Sequence, residues 1–143
     1  MEEWFVDTTF LVARFNLRDT NHKGALSLLR ELADGKAGAF RLVTTDDVFD
    51  EMVTAILART GRHGLAAEAG RSILGSKAWR LEILSRQDFE RAWTLFLERK
   101  DKRWSFTDCT SFAFMEHRGF KKALQEAAAK PALRKAARPG SAG

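Results

Sequence analysis

Three short apolar runs, each ending on a residue suited to cap a helix, constrain this chain more than any other feature. Residues 4–7 read WFVD. Residues 40–43 read FRLV and lead into Thr44, Thr45 and Asp46. Residues 79–84 read WRLEIL, with Trp79, Leu81 and Ile83 alternating with Arg80, Glu82 and Leu84, and lead into Ser85. Runs of this length are too short for helices and suit buried strands. Thr, Ser and Asp side chains accept hydrogen bonds from the open N–H groups at a helix start. The intervening segments repeat their apolar residues at helical spacing. They are TTFLVARF, then Ala25, Leu28, Leu29 and Leu32, then Val48, Met52, Ala55 and Ile56, then a stretch to Leu74, then Phe89, Ala92, Trp93 and Phe96. Gly35, Gly38, Gly61 and Gly64 punctuate them, and a last helix opens at Ser105 or Thr107 and runs to Arg118. Strands that alternate with helices predict an α/β fold on a parallel sheet, because a parallel return needs a crossover.

At 143 residues the chain fits one domain, and 45% hydrophobic residues supply one core. No apolar run reaches a membrane span, and the acidic start MEEWFVD lacks the pattern of a signal peptide. The single cysteine, Cys109, permits no internal disulfide and no cysteine metal cluster. These features together predict a cytoplasmic protein with no membrane association. The net charge of +5 is unevenly placed. From Arg118 onward, seven basic residues face Glu126 alone, and the rest of the chain is nearly neutral. From about Gln125 the sequence turns Ala/Lys/Arg-rich and ends PGSAG. Two units are expected on this basis: a domain over residues 1–124 and a basic, partly disordered tail over 125–143, with a loose helix over 125–137. Such a tail can hold phosphate backbones non-specifically, and it can equally be a solvated end.

Three acids stand where such a sheet brings chain segments together. Asp7 ends the first strand, Glu51 lies in the first turns of the helix after the second, and Asp108 opens the last helix. Ligands of open α/β sheets sit at the carboxyl ends of the strands. Clustered carboxylates repel one another and remain ionised most readily around a cation, and Mg²⁺ or Mn²⁺ prefers oxygen ligands. Such an ion acidifies and orients a water for attack on phosphorus. Each acid also has a plainer role: Asp7 as a helix cap, Asp108 in a capping box with Ser105, Glu51 as a surface acid.

Family resemblance rests on four stretches in order. FVDTTFLVARFN resembles the opening of PIN domains, HKGALSLLREL the helix that comes next in VapC-type proteins, RLVTTDDVFDEMVTAILARTG the strand and glutamate-bearing helix, and DKRWSFTDCTSFAFMEHRGF the third acidic motif. The resemblance covers residues 3 to about 124. It implies a PIN-like α/β/α sandwich with a short central parallel sheet flanked by helices. It also implies a metal-dependent endoribonuclease, the toxin of a type II toxin–antitoxin system, leaving 5′-phosphate and 3′-hydroxyl ends. Asp7, Glu51 and Asp108 would be the catalytic residues and the ligands of Mg²⁺ or Mn²⁺. Thr8 or Thr9 would meet a metal-bridging water or the substrate phosphate. Asp101 occupies a family-like position too, though a solvated loop acid is the better reading of it. RNA, a cognate antitoxin and a second copy of the chain are the implied partners, with Phe10, Leu11 and Phe15 offering either a partner surface or core.

One departure bears on activity. PIN domains of this type continue into a last strand and a further acid. Here GFKKAL begins that strand, QEAAAKPALRKAARPGSAG stands in place of its remainder, and no Asp or Glu comes after Glu126. The last strand is therefore expected to be altered or missing. Glu116, two helical turns or about 12 Å beyond Asp108, is a poor substitute ligand. The alternative function is a catalytically impaired PIN-like module that binds RNA or a partner. His22, His63 and His117 match no zinc spacing, Cys109 reads as a core thiol, and Trp104 as a packing residue rather than a base-stacking one.

Overall fold

The structure, a computed structural model, describes residues 1–35 and 38–124 and the backbone of 134–135. The sheet is ordered β3-β2-β1-β4-β5. Its middle strand is β1 (Glu2–Val6), flanked by β2 (Phe40–Thr45) and β4 (Lys122–Leu124), with β3 (Trp79–Glu82) beyond β2. These four strands are parallel, and β5 (Arg134–Lys135) pairs antiparallel with β4. Trp4, Phe5, Val6, Leu42 and Val43 are buried along consecutive positions, as expected of strands covered on both faces. Six helices flank the sheet. They are α1 (Thr8–Phe15), α2 (His22–Ala33), α3 (Asp46–Thr60), α4 (His63–Leu74), α5 (Arg86–Glu98) and α6 (Phe106–Arg118).

The strand order sets the position of the site. From β1 the chain moves one way along the sheet to β2 and β3, then returns to the other side of β1 for β4. The order reverses between β1 and β4, and a crevice opens outside the carboxyl ends of strands at such a reversal. Asp7 is the residue that leaves β1 there, and its backbone N–H donates to Leu124 O of β4 at 3.1 Å.

The last strand is present, though only three residues long. Phe5 pairs with Ala123 and Val6 with Leu124, and Ala123 and Leu124 are fully buried. Gly119, with φ of 70°, turns the chain from α6 toward it, a conformation that a Cβ disfavours. The outer edge of β4 is paired by β5, so a basic segment of the tail covers it. Within the loose helix expected over 125–137, Arg134–Lys135 form a strand instead, because they pair with the edge of β4; the rest of that segment, the boundary at 124/125 and Glu126 fall outside the described residues.

The structure decides which faces of α1 and α5 are covered. Phe10 and Leu11 are 1% and 0% exposed, so they belong to the core and present nothing to a partner. On α5, Ala92 and Leu95 face Cys109 and Ala113 of α6, whereas Phe89, Trp93 and Phe96 are about half exposed. The small Ala92 and Ala113 let the two helices approach, and the bulky aromatics are displaced to the flank, where they gather around Phe106.

Candidate active site

Each of the three acids predicted to act together starts from a helix near the end of the sheet. Asp7 is the N-cap of α1, its Oδ1 accepting from Thr8 N at 2.8 Å. Asp108 forms a full capping box at the start of α6. Ser105 N donates to its Oδ2 at 2.9 Å, and its own N–H donates to Ser105 Oγ at 3.0 Å. The plainer roles of both residues are therefore real. They do not exhaust a carboxylate, whose two oxygens offer about four lone-pair sites. Glu51 lies in the second turn of α3 and is half-buried.

Hydrogen bonds between neighbouring strand ends fix these helix starts. The buried Thr44 Oγ1 donates to Val6 O at 3.0 Å, tying the exit of β2 to the residue before Asp7. Thr45 caps α3, accepting from Val48 N at 3.2 Å. Asp46 Oδ1 accepts from Leu84 N at 2.8 Å and so anchors the exit of β3. Three successive residues after the second apolar run thus hold three strand exits in register.

Asp47, one turn before Glu51, is a further acid near these helix starts. Its carboxyl is pushed above the usual carboxylate range, first by burial and then by the charge of Asp46, with smaller contributions from Asp50 and Glu51. The Thr110 hydroxyl beside it acts in the opposite direction, although that hydroxyl also donates to Thr107 O at 2.7 Å. Thr110 is two residues beyond Asp108, so this contact brings the Asp47–Glu51 face of α3 against the start of α6. The only signal available in the sequence was the four-residue spacing of Asp47 and Glu51.

The remaining candidates divide clearly. Thr8 is 5% exposed, and its hydroxyl finds no hydrogen-bond partner among the described residues. Thr9 and Asp101 are exposed, and Asp101 lies 3.9 Å from Lys102 Nζ, as suits a solvated loop acid. Glu116 pairs with Arg91 at 3.6 Å, on the outer surface of the α5–α6 pair. Between the end of α5 and Cys109 of α6, a cavity of about 260 Å³ is lined by Phe96, Arg99, Lys100, Lys102, Trp104 and Cys109. Trp104 packs on Phe112 with ring centroids 4.5 Å apart. Burial and then the neighbouring Asp108 charge raise the Cys109 thiol, so it is not a nucleophile poised for reaction.

Among the described residues, no three His, Cys, Asp or Glu side chains are grouped closely enough to hold a metal ion as they stand. What converges is the set of helix starts. The donor chemistry still fits a hard divalent cation: the acids supply oxygen only, Glu51 crowds Asp47 together with Asp46 and Asp50, and a hydroxyl without a partner among the described residues is buried beside Asp7. Magnesium commonly takes one or two carboxylates and keeps several waters.

The PIN-domain family model matches residues 4–126 of this chain. The chain belongs to the PIN-domain family. Within it, the chain is similar to the 23S rRNA-specific endonuclease VapC20 of Mycobacterium tuberculosis, strains H37Rv and CDC 1551. Identity is 32% over 119 residues, covering 83% of this chain and 85% of the relative. The crystal structure of Mycobacterium tuberculosis VapC20, described as a sarcin–ricin loop cleaving toxin, superposes with a TM-score of 0.76 at 28% identity. It covers 90% of this chain and 98% of that one. The PIN architecture accounts for the four parallel strands and for Asp7 at the reversal of strand order. No helix among the described residues is long and apolar enough to cross a membrane.

Proposed function

We propose that this chain is a metal-dependent RNA endonuclease and the toxin half of a type II toxin–antitoxin pair, acting in the cytoplasm as a homodimer. One observation carries the reading. Asp7 and Asp108 stand at two helix starts and Glu51 in the second turn of a third helix, α3, which meets α6, in a chain 32% identical to a 23S rRNA-specific endonuclease. The substrate class is RNA with a folded loop, by likeness to a protein described as cleaving the sarcin–ricin loop.

Asp7, Glu51 and Asp108 would hold the divalent cation, Mg²⁺ or Mn²⁺, with Asp47 supporting Glu51 from the preceding turn. The ion would supply an acidified water and neutralise charge on the phosphoryl oxygens. The protein's own groups prepare the place. The capping hydrogen bonds hold Asp7 and Asp108 in one orientation at positively polarised helix ends. The buried Thr8 hydroxyl, without a hydrogen-bond partner among the described residues, supplies a donor beside Asp7. Arg99, Lys100 and Lys102 border the cavity against Cys109, the residue after Asp108, and would hold neighbouring backbone phosphates.

The test is cleavage of a folded RNA by purified chain with manganese, magnesium or chelator, beside Asp7→Asn. Metal-dependent cleavage that the variant loses supports the nuclease. A folded wild-type chain that cleaves nothing favours the second reading, an impaired PIN module that binds RNA or a partner. The absence of any Asp or Glu after Glu126 favours that alternative.

A further inference from the structure

We infer that the far ends of α1 and α3 carry a second contact for RNA, a three-arginine pocket that takes a backbone phosphate about 20 Å from the acids. The inference rests on the nuclease reading for its ligand and on separate residues for its geometry.

A cavity of about 420 Å³ is lined by Arg18, Arg59, Arg62, Thr60, Leu17 and Leu65, with Asn16. The guanidiniums come from three segments: the turn after α1, the last turn of α3 and the residue that precedes α4. None of the three pairs with a carboxylate among the described residues, whereas Arg41, Arg80, Arg86, Arg91 and Arg118 all do. All three are exposed. Helix ends explain only part of this gathering. The carboxyl ends of α1 and α3 contribute about half a negative charge each, against three full positive charges. The first turn of α4, which supplies Arg62 and Leu65 to the wall, has no side-chain cap, and open helix N–H groups favour an anion.

Guanidinium forks match phosphate oxygens two at a time. Thr60 adds a hydroxyl to the lining, and Leu17, 73% exposed, gives an apolar wall against which a ribose or base can rest. The domain before Arg118 is otherwise close to neutral, so a ligand with one charge per nucleotide needs a local concentration of cations of this kind. Distance selects the ligand further. α3 has 15 residues and starts among the acids, so its far end lies about 20 Å away. That is roughly six phosphates along a strand spaced at about 3.4 Å. A folded hairpin reaches both places and a very short oligonucleotide reaches one.

The experiment uses the full chain. Binding of a fluorescent RNA hairpin of about 20 nucleotides and of a tetranucleotide is measured in chelator as a function of salt, and cleavage of both is measured in manganese. Arg18→Glu, Arg59→Glu and Arg62→Glu are compared with their Lys counterparts and with Arg86→Glu, a control on α5. Each pocket reversal should weaken hairpin binding on the order of tenfold, and the triple variant should lower the salt slope by about 2 to 3. Lys variants should keep most of the slope, Arg86→Glu should change little, and tetranucleotide cleavage should be unchanged. Equal losses on hairpin and tetranucleotide, or losses no larger than for Arg86→Glu, overturn the pocket. So does a wild-type chain that binds no hairpin, or that binds a polyglutamate peptide at this pocket in preference to RNA. Intact, pocket-dependent hairpin binding without cleavage supports the pocket and removes only the nuclease.

Discussion

Asp108 can be made to separate its two roles, because Ser105 shares only one of them. The capping box contains two hydrogen bonds, Ser105 N to Asp108 Oδ2 at 2.9 Å and Asp108 N to Ser105 Oγ at 3.0 Å. Ser105→Ala removes the second and leaves the carboxylate, at a cost of about 1 kcal/mol. Asp108→Asn keeps an oxygen acceptor for the first and loses the charge at the helix start, about 0.3–1 kcal/mol. Asp108→Ala loses both acceptor and charge, roughly 1–2 kcal/mol. For a chain of this size each kcal/mol corresponds to about 3–4 °C in Tm. Thermal unfolding in chelator should therefore place Asp108→Asn nearest wild type, then Ser105→Ala, then Asp108→Ala. Manganese-dependent RNA cleavage should rank them differently. Ser105→Ala should keep most activity, while both Asp108 variants should lose about a hundredfold or more, since they remove a ligand charge and not merely a cap. The reasoning fails if Asp108→Asn cleaves at the wild-type rate, which would leave Asp108 a cap and nothing more. It fails equally if cleavage tracks Tm across all three variants.

Asp47→Asn should raise the stability of the metal-free chain near neutral pH and diminish the stabilisation gained on adding manganese, both read from thermal unfolding. The sign comes from the raised carboxyl: the folded state binds that proton more tightly than the unfolded one. Its stabilising contribution is full below the ordinary value of 3.8 and is lost as pH rises through the higher folded value. Chelated wild type should thus lose more stability than Asp47→Asn over that window, and parallel pH profiles would contradict it. Thr44→Val keeps the shape but removes the buried bond to Val6 O, and should lower urea stability by about 1–3 kcal/mol. An unchanged urea midpoint would show that this tie between strand exits is dispensable. Cys109, buried and beside Asp108, should react with a disulfide reagent at neutral pH far more slowly than a free cysteine, and rapidly once urea unfolds the chain.

The legible parts of the fold were those written in local chemistry. Thr45, Ser85 and Ser105 each cap a helix, Asp7 caps another, and Gly61 and Gly119 end two in the left-handed conformation, so element order could be read from neighbouring residues. What could not be read was which face of an amphipathic stripe would be covered. On α5 the helical period joins Phe89, Ala92, Trp93 and Phe96, but the partner helix chose Ala92 with Leu95 and left the aromatics at the rim. Asp47 was hidden for the same reason. Its spacing to Glu51 is local, but its contact with Thr110 depends on α3 meeting α6, which only the sheet order brings about.

The capping roles of Asp7 and Asp108 do not exclude the proposed cation binding, since a carboxylate keeps lone-pair sites beyond one capping bond. An acid brought to a crowded site tends to take up a proton, as the raised Asp47 carboxyl shows, and a protonated acid is a poor ligand. An acid placed at a helix start is stabilised as the anion by the open N–H groups around it. Asp7 and Asp108 occupy such positions and accept backbone hydrogen bonds there. Asp47 belongs to the first turns of α3 as well, yet burial and three neighbouring acids outweigh that benefit. Crowding is thus concentrated at Asp47, where a divalent cation bound beside Glu51 would relieve it. A parallel sheet with short strands suits the proposed chemistry for this reason: the exits of β1, β2 and β3 each lead into a helix start, where open N–H groups favour an anion unless burial and neighbouring acids outweigh them.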